Sequence, residues 1–159
     1  FEFELLSIIG DSAANTIDAS AVTIPTMLDG GFGNDTITGG SGTDSIFGNQ
    51  GNDSIAGGTG DDTIDGGADN DTLVGGKGNA VLTGGGGRDT FQFTRGDGRD
   101  TITDFDQLCD KIEIIDGADS FDDLMITQAG DDVRIKFANV VITVENDQAE
   151  NFTAADFIF

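Results

Sequence analysis

The stretch Gly30–Phe47 reads GGFGNDTITGGSGTDSIF, two nine-residue phrases laid end to end. Each phrase has glycine at its first, second and fourth places, aspartate at its sixth and isoleucine at its eighth. The period continues as GNQGNDSIA, GGTGDDTID, GGADNDTLV, GGKGNAVLT and GGGGRDTFQ, giving seven units without insertion to Gln92. A looser unit, RGDGRDTIT, follows from Arg95. The sixth place holds Asp35, Asp44, Asp53, Asp62, Asp71, then Ala80, then Asp89, with Asp100 in the loose unit. The eighth holds Ile37, Ile46, Ile55, Ile64, Leu73, Leu82, Phe91 and Ile102. Fixed self-similarity of this kind marks a solenoid, whose repeats bury their apolar face only by stacking.

Each place has a physical role. The glycines are expected to take positive φ, turn the chain tightly and leave peptide carbonyls bare. The aspartate adds a hard charged oxygen, and carbonyls with carboxylates are the ligand set that calcium prefers. The last three residues of each unit (TIT, SIF, SIA, TID) have strand propensity, and their middle residue faces a core. One nine-residue unit cannot close on itself, so two make a coil with a strand on each face. The expected inner rows are Ile37, Ile55, Leu73, Phe91 on one sheet and Ile46, Ile64, Leu82, Ile102 on the other. Asn49, Asp69 and Asn70 interrupt the glycine pattern, with Asn70 expected at the left-handed fourth place of its unit; asparagine tolerates that backbone.

Composition points the same way. The chain has 159 residues, 30 acidic and 7 basic, for a formal charge of −23, and 25 of its residues are glycine. A modestly apolar chain that repels itself this strongly stays loose unless something neutralises it. Nucleic acid and anionic membranes are therefore poor partners, and a cation is the obvious one. There is no His, Trp or Tyr, and Cys109 is the single cysteine. A zinc centre, an internal disulfide and a Cys/His nucleophile pair cannot be built. Cys109 reads as a half-buried or solvent-near thiol in the cap, not a nucleophile. No apolar run has the length of a membrane span, and no signal peptide is visible. The opening FEFELL lacks an initiator Met and reads as a fragment or processed product of a longer chain.

The seven GGxGxD-type units in register resemble the nonapeptide calcium-binding repeats of the repeats-in-toxin (hemolysin-type) family, over roughly half the chain. The resemblance implies an all-β parallel β-roll, a two-sheet solenoid of nonapeptide repeats with a small antiparallel β cap at the C-terminus. It places calcium between turns of neighbouring coils on the same edge. One edge then carries Asp35, Asp53, Asp71 and Asp89, and the other Asp44, Asp62, Ala80 and Asp100. On the second edge only Asp44 with Asp62 is a complete pair, because Ala80 lacks the carboxylate. Loop carbonyls from the second and fourth places complete each site: Gly31 and Gly33, Gly40 and Gly42, Asn49 and Gly51, Gly58 and Gly60, Gly67, and Gly85 and Gly87. The four complete pairs suggest about four tightly held ions.

The flanks divide the chain into residues 1–29, an irregular N-terminal coil and partial cap; 30–104, the calcium-binding β-roll; and 105–159, a C-terminal β cap. In AANTIDAS, Asn15 stands in the aspartate place and Ile17 in the core place of a decayed unit. Strands are expected near 111–115, 124–128, 132–137 and 139–144, the middle ones as a meander, with short helical turns at Ser120–Asp123 and Thr153–Asp156. The tail, from DTITDFDQLCDKIEI to TAADFIF, is similar to the C-terminal block of serralysin-type proteases and alginate epimerase modules. There, an acidic residue followed by apolar ones belongs to the export signal, as Asp156-Phe157-Ile158-Phe159 would here; a simple edge strand closing the cap is the other reading.

The resemblance thus implies a secreted, extracellular module that folds on extracellular calcium and is carried by type I secretion machinery. Two other function classes fit the sequence less well. Paired carboxylates can run glycoside chemistry, but aspartates recurring at every turn suit ligands and not one catalytic pair, so the chain is expected not to be an enzyme. It is at most the non-catalytic tail of a secreted hydrolase, lyase or epimerase. An adhesion or polysaccharide-binding face is the third class; the outward ninth place varies from Thr to Phe, Ala, Asp and Val, so no regular array is expected there.

Overall fold

A computed structural model describes residues 5–159, so the first four residues of the expected N-terminal coil lie outside the described residues. Among the described residues sixteen strands form two facing sheets. In chain order they are β1 (Leu6–Ile9), β2 (Thr16–Asp18), β3 (Thr26–Phe32), β4 (Thr36–Thr38), β5 (Ser45–Gln50), β6 (Ser54–Thr59), β7 (Thr63–Ala68) and β8 (Thr72–Lys77). Then come β9 (Val81–Gly86), β10 (Thr90–Phe93), β11 (Arg99–Ile102), β12 (Lys111–Ile114), β13 (Met125–Ala129), β14 (Asp132–Phe137), β15 (Val140–Val144) and β16 (Phe157–Ile158). Odd strands β1-β3-β5-β7-β9-β11 lie side by side and continue through β15-β14-β13, while even strands β2-β4-β6-β8-β10-β12 lie opposite with β16 at the end. Alternation between sheets at each strand is what a turn every nine residues requires.

The register matches the expected rows. Ile17, Ile37, Ile55, Leu73, Phe91 and Ile112 are consecutive partners on one sheet. Leu28, Ile46, Ile64, Leu82, Ile102 and Val144 are consecutive partners on the other. All these side chains are buried. The period of two along each strand sends the flanking Thr, Ser and Asp outward. A one-residue slip would expose every core side chain at once, which is why so short a strand holds its register.

Parallel pairing continues past the repeats. β12 extends the even sheet and β15 joins β11, both parallel. The meander is β13-β14-β15, antiparallel as expected from its turns. Its strands differ by a residue or so from expectation, and the short helical turns lie at Phe121–Asp123 and Ala154–Asp156. Phe121, Phe152 and Phe157 cluster with ring centroids 5.5 Å and 6.1 Å apart and close the far end of the core. Phe157 is buried in that cluster while β16 pairs with β12, so the terminal DFIF segment does close the cap. Among the described residues no helix is long and apolar enough to cross a membrane.

Candidate calcium-binding edges

The turns between sheets stack into two edges, and the sixth-place residues stack with them. On the first edge the carboxylate Oδ1 of each aspartate accepts the backbone N–H of the residue one coil before it. Asp35 takes Asn15 (2.7 Å), Asp53 takes Asp35 (2.7 Å), Asp71 takes Asp53 (2.8 Å) and Asp89 takes Asp71 (2.9 Å). Asp110, which the sequence reading missed, accepts from Asp89 (2.9 Å) and continues the row. It sits two residues before the buried Ile112, the same D-x-apolar spacing as every repeat, and that spacing could have found it. On the second edge Asp44 takes Thr26, Asp62 takes Asp44 (2.9 Å), and Asp100 takes the N–H of Ala80 (2.8 Å).

The other carboxylate oxygen is the informative one. Oδ2 of Asp35, Asp53, Asp62, Asp71, Asp89 and Asp100 is buried and has no hydrogen-bond partner. A buried ionised oxygen left unpaired is costly. Burial accordingly pushes the carboxyls of Asp53, Asp62 and Asp89 above the usual range. Asp71 is pushed up to about 7, by burial first and then by the charges of Asp53, Asp89 and Asp69. Asp100 is likewise pushed up to about 7, by burial and then by Asp97. No carboxylate in either row has an ion-pair partner among the described residues, whose one salt bridge joins Arg95 to Asp116 at the surface.

The glycines divide into two kinds, which corrects the expectation that all three take positive φ. None of the first-place glycines is left-handed. Their lack of a side chain makes room for the carboxylate: a Cβ on Gly66 would lie 2.5 Å from Asp71 Oδ2, and one on Gly57 or Gly84 2.6 Å from the Oδ2 of Asp62 or Asp89. The second and fourth places are left-handed in most turns, from Gly31 (φ 94°) and Gly33 (φ 112°) to Gly85 (φ 93°) and Gly87 (φ 152°). Asn49 (φ 74°) keeps the second-place conformation. In the fifth unit it is Asp69 (φ 80°), and not Asn70, that takes the left-handed fourth place. Asn70 instead joins an outer ladder, donating its N–H and Nδ2 to the side-chain oxygen of Asn52.

The turn Gly39–Asp44 departs further. Its GGSGTD is a perfect match to the repeat, yet neither Gly40 nor Gly42 is left-handed. It stacks on the irregular segment Ala19–Pro25, and a Cβ on Gly42 would meet the Ile24 carbonyl carbon at 2.6 Å and Pro25 N at 2.7 Å. The reverse holds at Gly75–Ala80, where Gly76 (φ 85°) and Gly78 (φ 143°) keep the left-handed turn without a carboxylate.

Of the expected carbonyl ligands, those of Gly33, Gly42, Gly51, Gly60 and Gly87 accept no hydrogen bond among the described residues. The Gly40 carbonyl accepts Thr59 N–H (2.9 Å). Gly31, Asn49, Gly67 and Gly85 lie in register in one ladder, and Gly58 lies opposite Gly76 in the other. Among the described residues no three Asp, Glu, His or Cys side chains converge on one point. A cation held here would draw on carboxylate oxygens plus bare carbonyls, all hard oxygen donors, and such a donor set fits calcium.

A first-place glycine tests that geometry. Gly66→Ala is expected to cost about 1–3 kcal/mol and to weaken calcium binding, because its Cβ would displace the Asp71 carboxylate. Gly86→Ala meets nothing within 4 Å at ordinary φ and is expected to change neither. Thermal melts at fixed calcium compare the two.

The family described as the RTX calcium-binding nonapeptide repeat (4 copies) matches over residues 27–55, 47–82, 56–91 and 65–102. Among curated proteins none matches the chain. Among solved structures it is similar to the extracellular lipase LipA from Serratia marcescens, at 21% identity and a TM-score of 0.49, covering 85% of this chain and 40% of the lipase. It is also similar to the AlgE6R3 subunit of the Azotobacter vinelandii mannuronan C5-epimerase, at 21% identity and a TM-score of 0.48, covering 99% of this chain and 84% of that one. The chain thus spans well under two thirds of the lipase's length. With its repeat register, paired edges and hard-oxygen donors, the array of residues 27–102 belongs to the RTX calcium-binding nonapeptide repeat family.

Proposed function

We propose that this chain is a calcium-switched folding module of a longer secreted protein, one that folds outside the cell and supports type I export. The observation that carries the reading is the row of buried, unpartnered Oδ2 atoms one coil apart, from Asp35 to Asp89. Asp35, Asp53, Asp71 and Asp89 would each give an oxygen to calcium, with the bare carbonyls of Gly33, Gly51 and Gly87 beside them. Bound calcium supplies the positive charge that lets these carboxylates stay ionised inside the fold.

The direction of the switch follows from concentration. Inside a bacterial cell calcium is scarce, so a formal charge of −23 keeps the chain extended and able to thread an exporter. Millimolar calcium outside lies in the range used by extracellular modules. There, binding free energy becomes folding free energy, and a folded roll cannot slip back. Catalysis is assigned to no residue of this chain.

A passenger fused ahead of the chain, in a host with a type I exporter, tests the function. Changing Asp53, Asp71 and Asp89 together to Asn is expected to lower folded passenger in calcium-containing medium several-fold. Equal export and folding of the altered and native fusions would overturn it.

A further inference from the structure

We propose that each aspartate row is closed at one end by an ion-free rung, in which Asp44 and Asp110 are hydrogen-bonded plugs and not calcium ligands. The inference rests on the calcium reading of the remaining aspartates and narrows it. Asp44 and Asp110 are buried like their neighbours, at 1% and 3% exposure, but neither has an unpartnered oxygen.

At Asp44, Oδ1 accepts both the N–H (2.7 Å) and the hydroxyl (2.8 Å) of Thr26, and Oδ2 accepts the Gly40 N–H (2.9 Å). At Asp110, Oδ1 accepts the Asp89 N–H (2.9 Å) and Oδ2 the Asp106 N–H (2.9 Å). Backbone N–H groups stabilise a carboxylate as an ion would, through charge-assisted hydrogen bonds. Both oxygens are thereby committed to donors. In the interior aspartates one oxygen is committed and the other is free.

Backbone shape agrees independently at the Asp44 end. Gly40 and Gly42 are not left-handed, and it is this altered turn that brings the Gly40 N–H onto Asp44. In the loop Phe105–Asp110 no residue has positive φ, so no left-handed repeat turn is built there either. Each plug therefore lies where a repeat coil meets an irregular segment, and it holds the end coil in register without metal. Removing Asp44 leaves Asp62 between a plug and Ala80, so the second edge has no complete pair. The tight sites reduce to Asp35/Asp53, Asp53/Asp71 and Asp71/Asp89, about three ions on one edge in place of about four.

Calorimetric calcium titration of the native chain, Asp44→Asn and Asp53→Asn tests this. The native chain is expected to bind about three tight ions, with Asp44→Asn binding the same number and melting lower. Asp53→Asn, which touches two rungs, is expected to lose ions. Loss of an ion in Asp44→Asn overturns the proposal while leaving the calcium reading intact, whereas a native chain that binds no calcium removes both. Should Asp44→Asn fail to fold, exchange of calcium for cadmium in the folded native chain reads the same point through its carboxylate 13C resonances. Those of Asp53 and Asp71 are expected to move while those of Asp44 and Asp110 stay; movement of the Asp44 resonance overturns the proposal.

Discussion

Asp71→Asn is expected to stabilise the metal-free chain and destabilise the calcium-loaded one. Asp71 is 2% exposed, its Oδ2 has no partner, and burial with the charges of Asp53, Asp89 and Asp69 raises its carboxyl to about 7. Without metal at pH 8 the folded state must hold this charge unpaired. The amide keeps the acceptor for the Asp53 N–H and removes the charge, a gain on the order of 1 kcal/mol. With calcium present, the same change takes a ligand from two rungs at once, and the loss outweighs that gain. The folded fraction in chelator is expected to be higher for the variant than for the native chain, and its melting temperature in millimolar calcium lower. A variant that is less stable under both conditions would show that Asp71 is an ordinary packing group.

Acid should imitate the amide. The folded-state carboxyls of Asp71 and Asp100 lie near 7, well above the roughly 3.9 of an unfolded aspartate. Between those values the folded chain binds more protons than the unfolded one. Metal-free stability therefore rises as pH falls from about 7 towards about 4. Protonation competes with calcium for the same oxygens, so calcium affinity falls over the same window.

The second large effect is the dependence of stability on calcium itself. A ligand that binds only the folded state adds about 2.7 kcal/mol at a hundred times its dissociation constant. About three such rungs add roughly 8 kcal/mol, comparable to the whole stability of an ordinary domain. For a chain of this size that lifts the Tm by roughly 20 °C, from below room temperature in chelator. The melting temperature is expected to climb with the logarithm of calcium concentration, and magnesium, which demands a tighter octahedral shell and dehydrates reluctantly, should not reproduce it. A Tm that does not change between chelator and millimolar calcium would contradict the linkage.

The fold was legible because the repeat encodes it redundantly. Glycine spacing, the aspartate place and the apolar eighth place all point to the same coil, and the inner rows from Ile37 to Phe91 and from Ile46 to Ile102 lie as the spacing requires. Less legible was what each glycine does. Position alone does not separate a glycine needed for its φ, such as Gly58 at 104°, from one needed for space, such as Gly57 beneath the Asp62 carboxylate. The turn at Gly39–Asp44 was misread for a physical reason. Its letters are perfect, but its conformation is set by the Ala19–Pro25 segment beneath it, which has no repeat of its own. Asp110 was missed because it lies outside the glycine frame, although its spacing to Ile112 carried the signal.

The claim on which all of this turns is that calcium makes the fold conditional, and small-angle scattering of the isolated chain tests it most directly. In excess chelator at neutral pH and low salt, the radius of gyration is predicted to approach about 40 Å, the value for an unfolded chain of this length. In millimolar calcium it is predicted to fall to about 15 Å, the value for a compact one, and to return when chelator is added back. A radius near 15 Å in chelator, unchanged by calcium, would contradict the account.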